Sequence, residues 1–130
     1  MVAAALLGEP ATGEQASRLL ASAWDLTAPS HWRAEFANVV WKTVRQGRLD
    51  IERVDGILAA AEALPIAPVE TSELWRGAVA RAITVDHPVY DVLFVELAIR
   101  LGTQVASYDR QLRARFPEHV RRPADLLHAR

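Results

Sequence analysis

Apolar positions along this chain recur at two spacings, and each predicts a different kind of element. Residues 2–7 are an apolar run stopped by Gly8 and Pro10, which predicts a short helix. Thr12-Gly13-Glu14-Gln15 has the form of a capping box, in which the hydroxyl and the glutamine satisfy helix amides reciprocally. Ala16, Leu19, Leu20 and Ala23 then line one face of the helix it opens. Residues 25–28 predict a strand closed by Pro29. Trp32, Phe36, Val39, Val40 and Val44 return to the helical period, predicting a helix from a Ser30 N-cap to about Gln46, with Gly47 as the stop. Val54, Ile57, Leu58, Ala61 and Leu64 predict the next helix, capped by Asp50. Joined through Gly47-Arg48-Leu49, the two make a helical hairpin.

Pro65 interrupts the helical pattern. The bounded apolar run Ile66–Val69 predicts a strand, and Thr71 or Ser72 caps a helix from about Glu73 to Thr84. Asp86-His87-Pro88 is a turn. The helix after it runs to Leu101, with Tyr90, Leu93, Phe94, Leu97, Ala98 and Leu101 as its expected core stripe and Gly102 as its end. Residues 104–106 predict a short buried strand. Ser107 or Asp109 opens a helix that stops before Pro117. Residues 119–121 predict a last strand, and 123–127 a final helical turn. Short strands separated by helices imply parallel pairing through crossovers, hence an α/β fold.

Composition narrows the class. At 130 residues with 51% apolar and 24% charged side chains, the chain is expected to be one soluble domain over 1–130. The lack of cysteine excludes disulfides, thiolate zinc sites and cysteine nucleophiles. No apolar run approaches the roughly 20 residues of a membrane span, and the start lacks the basic region of a signal peptide. The expectation is a cytoplasmic protein with no membrane partner. A net charge of −1 gives no general pull toward nucleic acid. Residues 101–130, however, hold six arginines against three acids, a local excess of +3 that suits either phosphate contact or a solvated face.

Three acidic residues carry the candidate chemistry. Glu35 sits in His31-Trp32-Arg33-Ala34-Glu35-Phe36-Ala37-Asn38, with Asn38 one helical turn on. Asp91 sits in Val89-Tyr90-Asp91-Val92-Leu93-Phe94-Val95-Glu96, and Asp109 in Ser107-Tyr108-Asp109-Arg110-Gln111-Leu112. Each alone has an ordinary structural role: Glu35 and Asp91 complement a helix N-terminus, and Asp109 is an N-cap. Together they suit phosphodiester hydrolysis, which needs several carboxylates on a hard cation that activates water. Other constellations are weaker. His31, His87, His119 and His128 show no close ligand spacing. Ser30-His31 lacks a nucleophile elbow. At helical spacing Trp32 fits a core or subunit interface better than base stacking.

In order and context the three acidic segments resemble PIN-domain ribonucleases of the VapC toxin type, over nearly the whole chain from Ala3 to about Pro123. The resemblance implies a PIN-like three-layer α/β/α domain with a short parallel sheet. It implies a metal-dependent endoribonuclease, the toxin of a toxin–antitoxin pair, cleaving RNA by a metal-activated water with Mg²⁺ or Mn²⁺. Glu35, Asp91 and Asp109 correspond to the family's metal-site acids, and Ser107 to a hydroxyl beside them; Asn38 is a supporting group. The implied partners are RNA, a small cognate antitoxin protein and a second copy of the chain. The family opens with a strand ending in an aspartate, whereas this chain begins in what looks like the following helix. The expectation is a domain truncated at its N-terminus relative to the family. A catalytically silent domain that only binds a partner protein is the alternative, and a natural chain with a longer, active N-terminus is another.

Overall fold

The computed structural model describes residues 13–22 and 25–128. The expected helix over 2–7, the capping threonine Thr12 and the core position Ala23 lie outside the described residues. Contacts divide the chain into two compact units, residues 1–26 with 31–66, and 27–30 with 67–130.

The described residues of the first unit are mainly helical. Helix α1 (Gly13–Leu20) buries Ala16, Leu19 and Leu20, as the periodicity predicts. Helix α2 (Trp32–Arg45) and helix α3 (Val54–Glu62) form the expected hairpin, linked through Gly47 in the left-handed region at φ 72° and a 3₁₀ turn at Ile51–Arg53. Trp32, Phe36 and Val40 are buried from α2, and Ile57 and Ala61 from α3. Val39 and Val44 are less enclosed, so the buried stripe of α2 is narrower than the apolar pattern. The N-cap also differs from expectation. It is His31, with no side-chain cap bond; Ser30 lies one residue before it, at the end of the strand, where its N–H donates to the Val69 carbonyl at 2.7 Å. Asp50 does precede the 3₁₀ turn, yet its side chain makes no capping bond.

In the second unit, strand β1 (Leu26–Pro29) pairs with β2 (Ile66–Val69). The bond from Ser30 to Val69 joins their carboxyl ends. Helix α4 (Trp75–Val85) follows a 3₁₀ turn at Thr71–Glu73 and ends at Asp86, in the left-handed region at φ 55°. Helix α5 (Val89–Leu101) starts after Pro88 and ends at Gly102 with φ 64°. Strands β3 (Val105–Ala106) and β4 (Val120–Arg121) pair in parallel, Val105 opposite Val120 and Ala106 opposite Arg121, with helix α6 (Arg110–Arg115) between them. Helix α7 (Pro123–His128) closes the described chain. The result is the mixed α/β architecture expected, with the strands among the described residues forming two two-stranded sheets.

The core of this unit packs α4, α5 and α6 around Leu74, Ala78, Val92, Val95, Leu112, Phe116 and Val120. Helix α5 departs from the expected stripe. Leu93, Leu97 and Ala98 are buried, but Tyr90 is 64% exposed and Leu101 is 53% exposed. The deepest positions are instead Val92 and Val95, beside a buried Glu96. Apolar residues surround this helix on all sides, so periodicity leaves its rotation open. What fixes the rotation is a charged contact. The Glu96 carboxylate accepts from Arg81 Nε at 2.6 Å and from Arg100 Nε at 3.0 Å. Burial pushes the Glu96 carboxyl up, but the bonds and charges of Arg81 and Arg100 outweigh it and hold it below the ordinary range. No helix among the described residues is long and apolar enough to cross a membrane.

Candidate metal centre

Two segments of the second unit bring side chains of metal-ligand type together. The first is the turn from α4 into α5. The left-handed Asp86 reverses the chain, and the His87 N–H donates to the Ala82 carbonyl at 3.2 Å. Pro88 then fixes the entry to α5. This places His87 and Asp91 one helical turn apart, with His87 Nε2 3.1 Å from Asp91 Oδ2. The His87 side chain is 5% exposed and that of Asp91 is 37% exposed, so the imidazole lies beneath the carboxylate. The neighbour Val92 is wholly buried, which anchors the backbone that carries Asp91.

The second segment is the loop after β3. Ser107 N–H donates to the Arg121 carbonyl at 2.9 Å, extending the parallel ladder by one bond. Its hydroxyl accepts from the Asp109 N–H at 3.1 Å. Asp109 caps α6: Oδ1 accepts from the Gln111 and Leu112 amides at 2.9 and 3.1 Å. The carboxylate is thereby oriented by its own local structure. Among the described residues Oδ2 takes no hydrogen bond and is left for another ligand.

His87, Asp91 and Asp109 each present one ligand atom, all within 4.8 Å of one another. Asp91 and Asp109, far apart in sequence, thus lie together, while Glu35, the third acid of the pattern, is not in this group. Ser107 stands beside them as a positioning hydroxyl. Two carboxylates and an imidazole on one side of an open surface suit a six-coordinate divalent cation that keeps several waters. Glu35 and Asn38 lie on α2 in the first unit, where Glu35 Oε1 is 3.5 Å from His31 Nε2.

His87 is absent from the acidic pattern, and histidine spacing alone does not single it out. The usable signal was its distance from an acid: His87-Pro88-Val89-Tyr90-Asp91 puts an imidazole one turn ahead of the aspartate. The basic C-terminal stretch is partly engaged locally. Arg122 forms a two-pronged pair with Asp125, at 3.0 and 3.1 Å, and Arg121 donates to the Pro117 carbonyl.

Comparison with known proteins gives this cluster a setting. The model of the PIN domain matches residues 2–118. Ribonuclease VapC3 of Pyrobaculum aerophilum is 32% identical over 119 residues, covering 90% of this chain and 91% of that protein. Ribonuclease VapC3 of Mycobacterium tuberculosis, strain H37Rv, is 31% identical over 90 residues, 69% of this chain and 64% of that protein. With a family match across most of its length and a relative aligned nearly end to end, the chain belongs to the PIN-domain family and, within it, to the VapC type.

Proposed function

We propose that this chain is the ribonuclease toxin of a toxin–antitoxin pair, hydrolysing RNA phosphodiester bonds with a divalent cation held at Asp91 and Asp109. The observation that carries the reading is the convergence of those two carboxylates, from separate elements, with ligand atoms within 4.8 Å. The relatives' name, Ribonuclease VapC3, agrees with it.

The chain's own residues have definable tasks. Asp91 and Asp109 hold negative charge at one point and fix its position through a helix start and a cap. Ser107 and the two α6 amides keep Asp109 from rotating. A bound Mg²⁺ or Mn²⁺ supplies an acidified water and charge stabilisation at the phosphate. Glu35, with Asn38 on the same helix, is the proposed third acid. The protein partner is a small antitoxin. The hairpin offers it an open groove of about 260 Å³ lined by Ala37, Val40, Trp41, Val44 and Ile51 among others, with no polar surface. Self-association is proposed through α4, where Trp75, Val79 and Ile83 form an exposed stripe at intervals of one helical turn.

The test is cleavage of single-stranded RNA by the natural chain with Mg²⁺ or Mn²⁺. Asp91→Asn and Asp109→Asn should each lower kcat at least about a hundredfold while the far-UV spectrum is kept. Cleavage that is insensitive to chelation, or undiminished in both variants, would refute the reading. A folded natural chain silent with either metal would favour the partner-binding alternative.

A further inference from the structure

Only two polar or charged residues are buried among the described residues, His87 and Glu96. Glu96 is accounted for by its two arginines. Among the described residues the ring of His87 is bonded to Asp91 alone, at the edge of the candidate cluster. An imidazole that merely packs is more cheaply replaced by an apolar side chain, since burying a polar ring costs free energy unless its nitrogens are used.

We propose that His87 Nε2 is a ligand of the cation held by Asp91 and Asp109, and that this nitrogen makes the centre favour Mn²⁺ over Mg²⁺. The proposal rests on the metal-centre reading above and adds to it the class of ion. Three observations support it. First, the spacing fits. Ligands on opposite sides of a small divalent ion stand about 4.2 Å apart, twice a bond of about 2.1 Å. The three donor atoms lie within 4.8 Å of one another, close to that span, so a small inward movement of the exposed Asp109 and Asp91 carboxylates brings the set onto one ion. The 3.1 Å between His87 Nε2 and Asp91 Oδ2 is the adjacent-ligand separation for bonds of about 2.2 Å. Second, the imidazole is already ordered. Its backbone is pinned by the bond to Ala82 and by Pro88, and its side chain is 5% exposed, so binding an ion costs little further ordering. Third, the donor chemistry discriminates. Magnesium takes oxygen almost exclusively, whereas first-row ions accept imidazole nitrogen readily.

The competing role for His87 is to hold Asp91 by a hydrogen bond while only oxygens touch the ion. Pulsed electron paramagnetic resonance on the purified wild-type protein loaded with Mn²⁺ alone separates the two. A ¹⁴N coupling of directly bound imidazole is expected, changing to the ¹⁵N pattern in protein labelled at histidine and lost in His87→Gln. Calorimetric titration of the same variant should show Mn²⁺ affinity reduced at least about tenfold, with Mg²⁺ affinity nearly unchanged. An oxygen-only spectrum for the wild type overturns the proposal, as does a nitrogen signal that survives in His87→Gln. Equal loss of both metals would assign His87 to holding Asp91 and also overturn it. The wild-type spectrum decides even if the variant folds poorly. Asp91→Asn provides the separate control: undiminished Mn²⁺ binding there would bring down the metal-centre reading itself, a result distinct from failure of the histidine proposal.

Discussion

Replacing Gly77 with alanine should destabilise the protein, although alanine is the better helix former. Gly77 lies inside α4, directly under the Glu96 carboxylate of α5. A Cβ there would overlap Glu96 Oε1 and Cδ and approach Oε2 to 2.9 Å. A free glutamate would swing aside. This one is held by Arg81 and Arg100, and its side chain is only 7% exposed. Moving it sacrifices two charge-assisted hydrogen bonds, each worth about 1.5–3 kcal/mol. The arginine side chains are 42% and 45% exposed, so solvent screening puts both bonds at the lower end, near 1.5 kcal/mol each. Against that loss of about 3 kcal/mol, alanine returns about 1 kcal/mol of helix propensity. The expected net destabilisation is therefore about 2 kcal/mol, a fall in Tm of roughly 6–8 °C for a chain of this length.

A double-mutant cycle by thermal and urea unfolding tests the reasoning. In a Glu96→Ala background the obstruction is gone, and Gly77→Ala should become neutral or stabilising by up to about 1 kcal/mol. The coupling between the two sites is then about 3 kcal/mol. If Gly77→Ala raises Tm in the wild type, or changes stability equally in both backgrounds, the carboxylate is not clamped as described.

Three further outcomes are expected. Glu96 is held below its ordinary value of 4.5, so the stability it contributes is fully present above that pH and is lost as pH falls through its lower folded-state value; acid unfolding of Glu96→Gln should show a shallower dependence below about pH 4.5, and an unchanged slope would refute the assignment. Asp109→Asn keeps a good cap and should stay within about 0.5 kcal/mol of wild-type stability while losing cation affinity, whereas Asp109→Ala should lose both, at a cost of about 1 kcal/mol; calorimetric metal titration beside thermal melts would reveal any variant that breaks this pattern. Ile83→Glu, on the exposed face of α4, should convert a dimer to a monomer by light scattering, and a dimer that persists would remove that face from the interface.

The order and type of elements were legible because Pro and Gly punctuate this sequence at almost every boundary. Pro65 and Gly102 stand at the ends of helices, and Asp109 is a cap in both sequence and structure. Failures occurred where two roles competed for one residue. Ser30 reads as a helix cap, but the strand pairing extends through its amide to Val69 and the helix starts one residue later. Helix α5 is apolar all round, so its rotation is set by Glu96, a residue no hydrophobic pattern would place inside. The candidate site divides in the same way. Asp91 and Asp109 were recognisable from their contexts. His87 was not, because its meaning depends on a left-handed turn at Asp86 that aims the ring back at Asp91, and that geometry is invisible in residue spacing between histidines.

The two acids of the proposed centre are held by unlike devices, and this has a mechanical consequence. Asp109 is oriented locally, by the Ser107 hydroxyl and two amides within three residues of it. Its direction survives small movements of the core. Asp91 is positioned by α5, whose setting depends on Val92 and Val95 packing inward and on Glu96 meeting arginines of α4 and α5. Loosening that clamp therefore displaces Asp91 and leaves the Asp109 carboxylate in its cap. A ligand set with one rigid and one adjustable member loses affinity through the adjustable one. If a cation is held there as proposed, substitutions at Arg81 or Gly77, which carry no ligand atom, are expected to act on it through α5, while substitutions around α6 act only where they touch Ser107 or the cap.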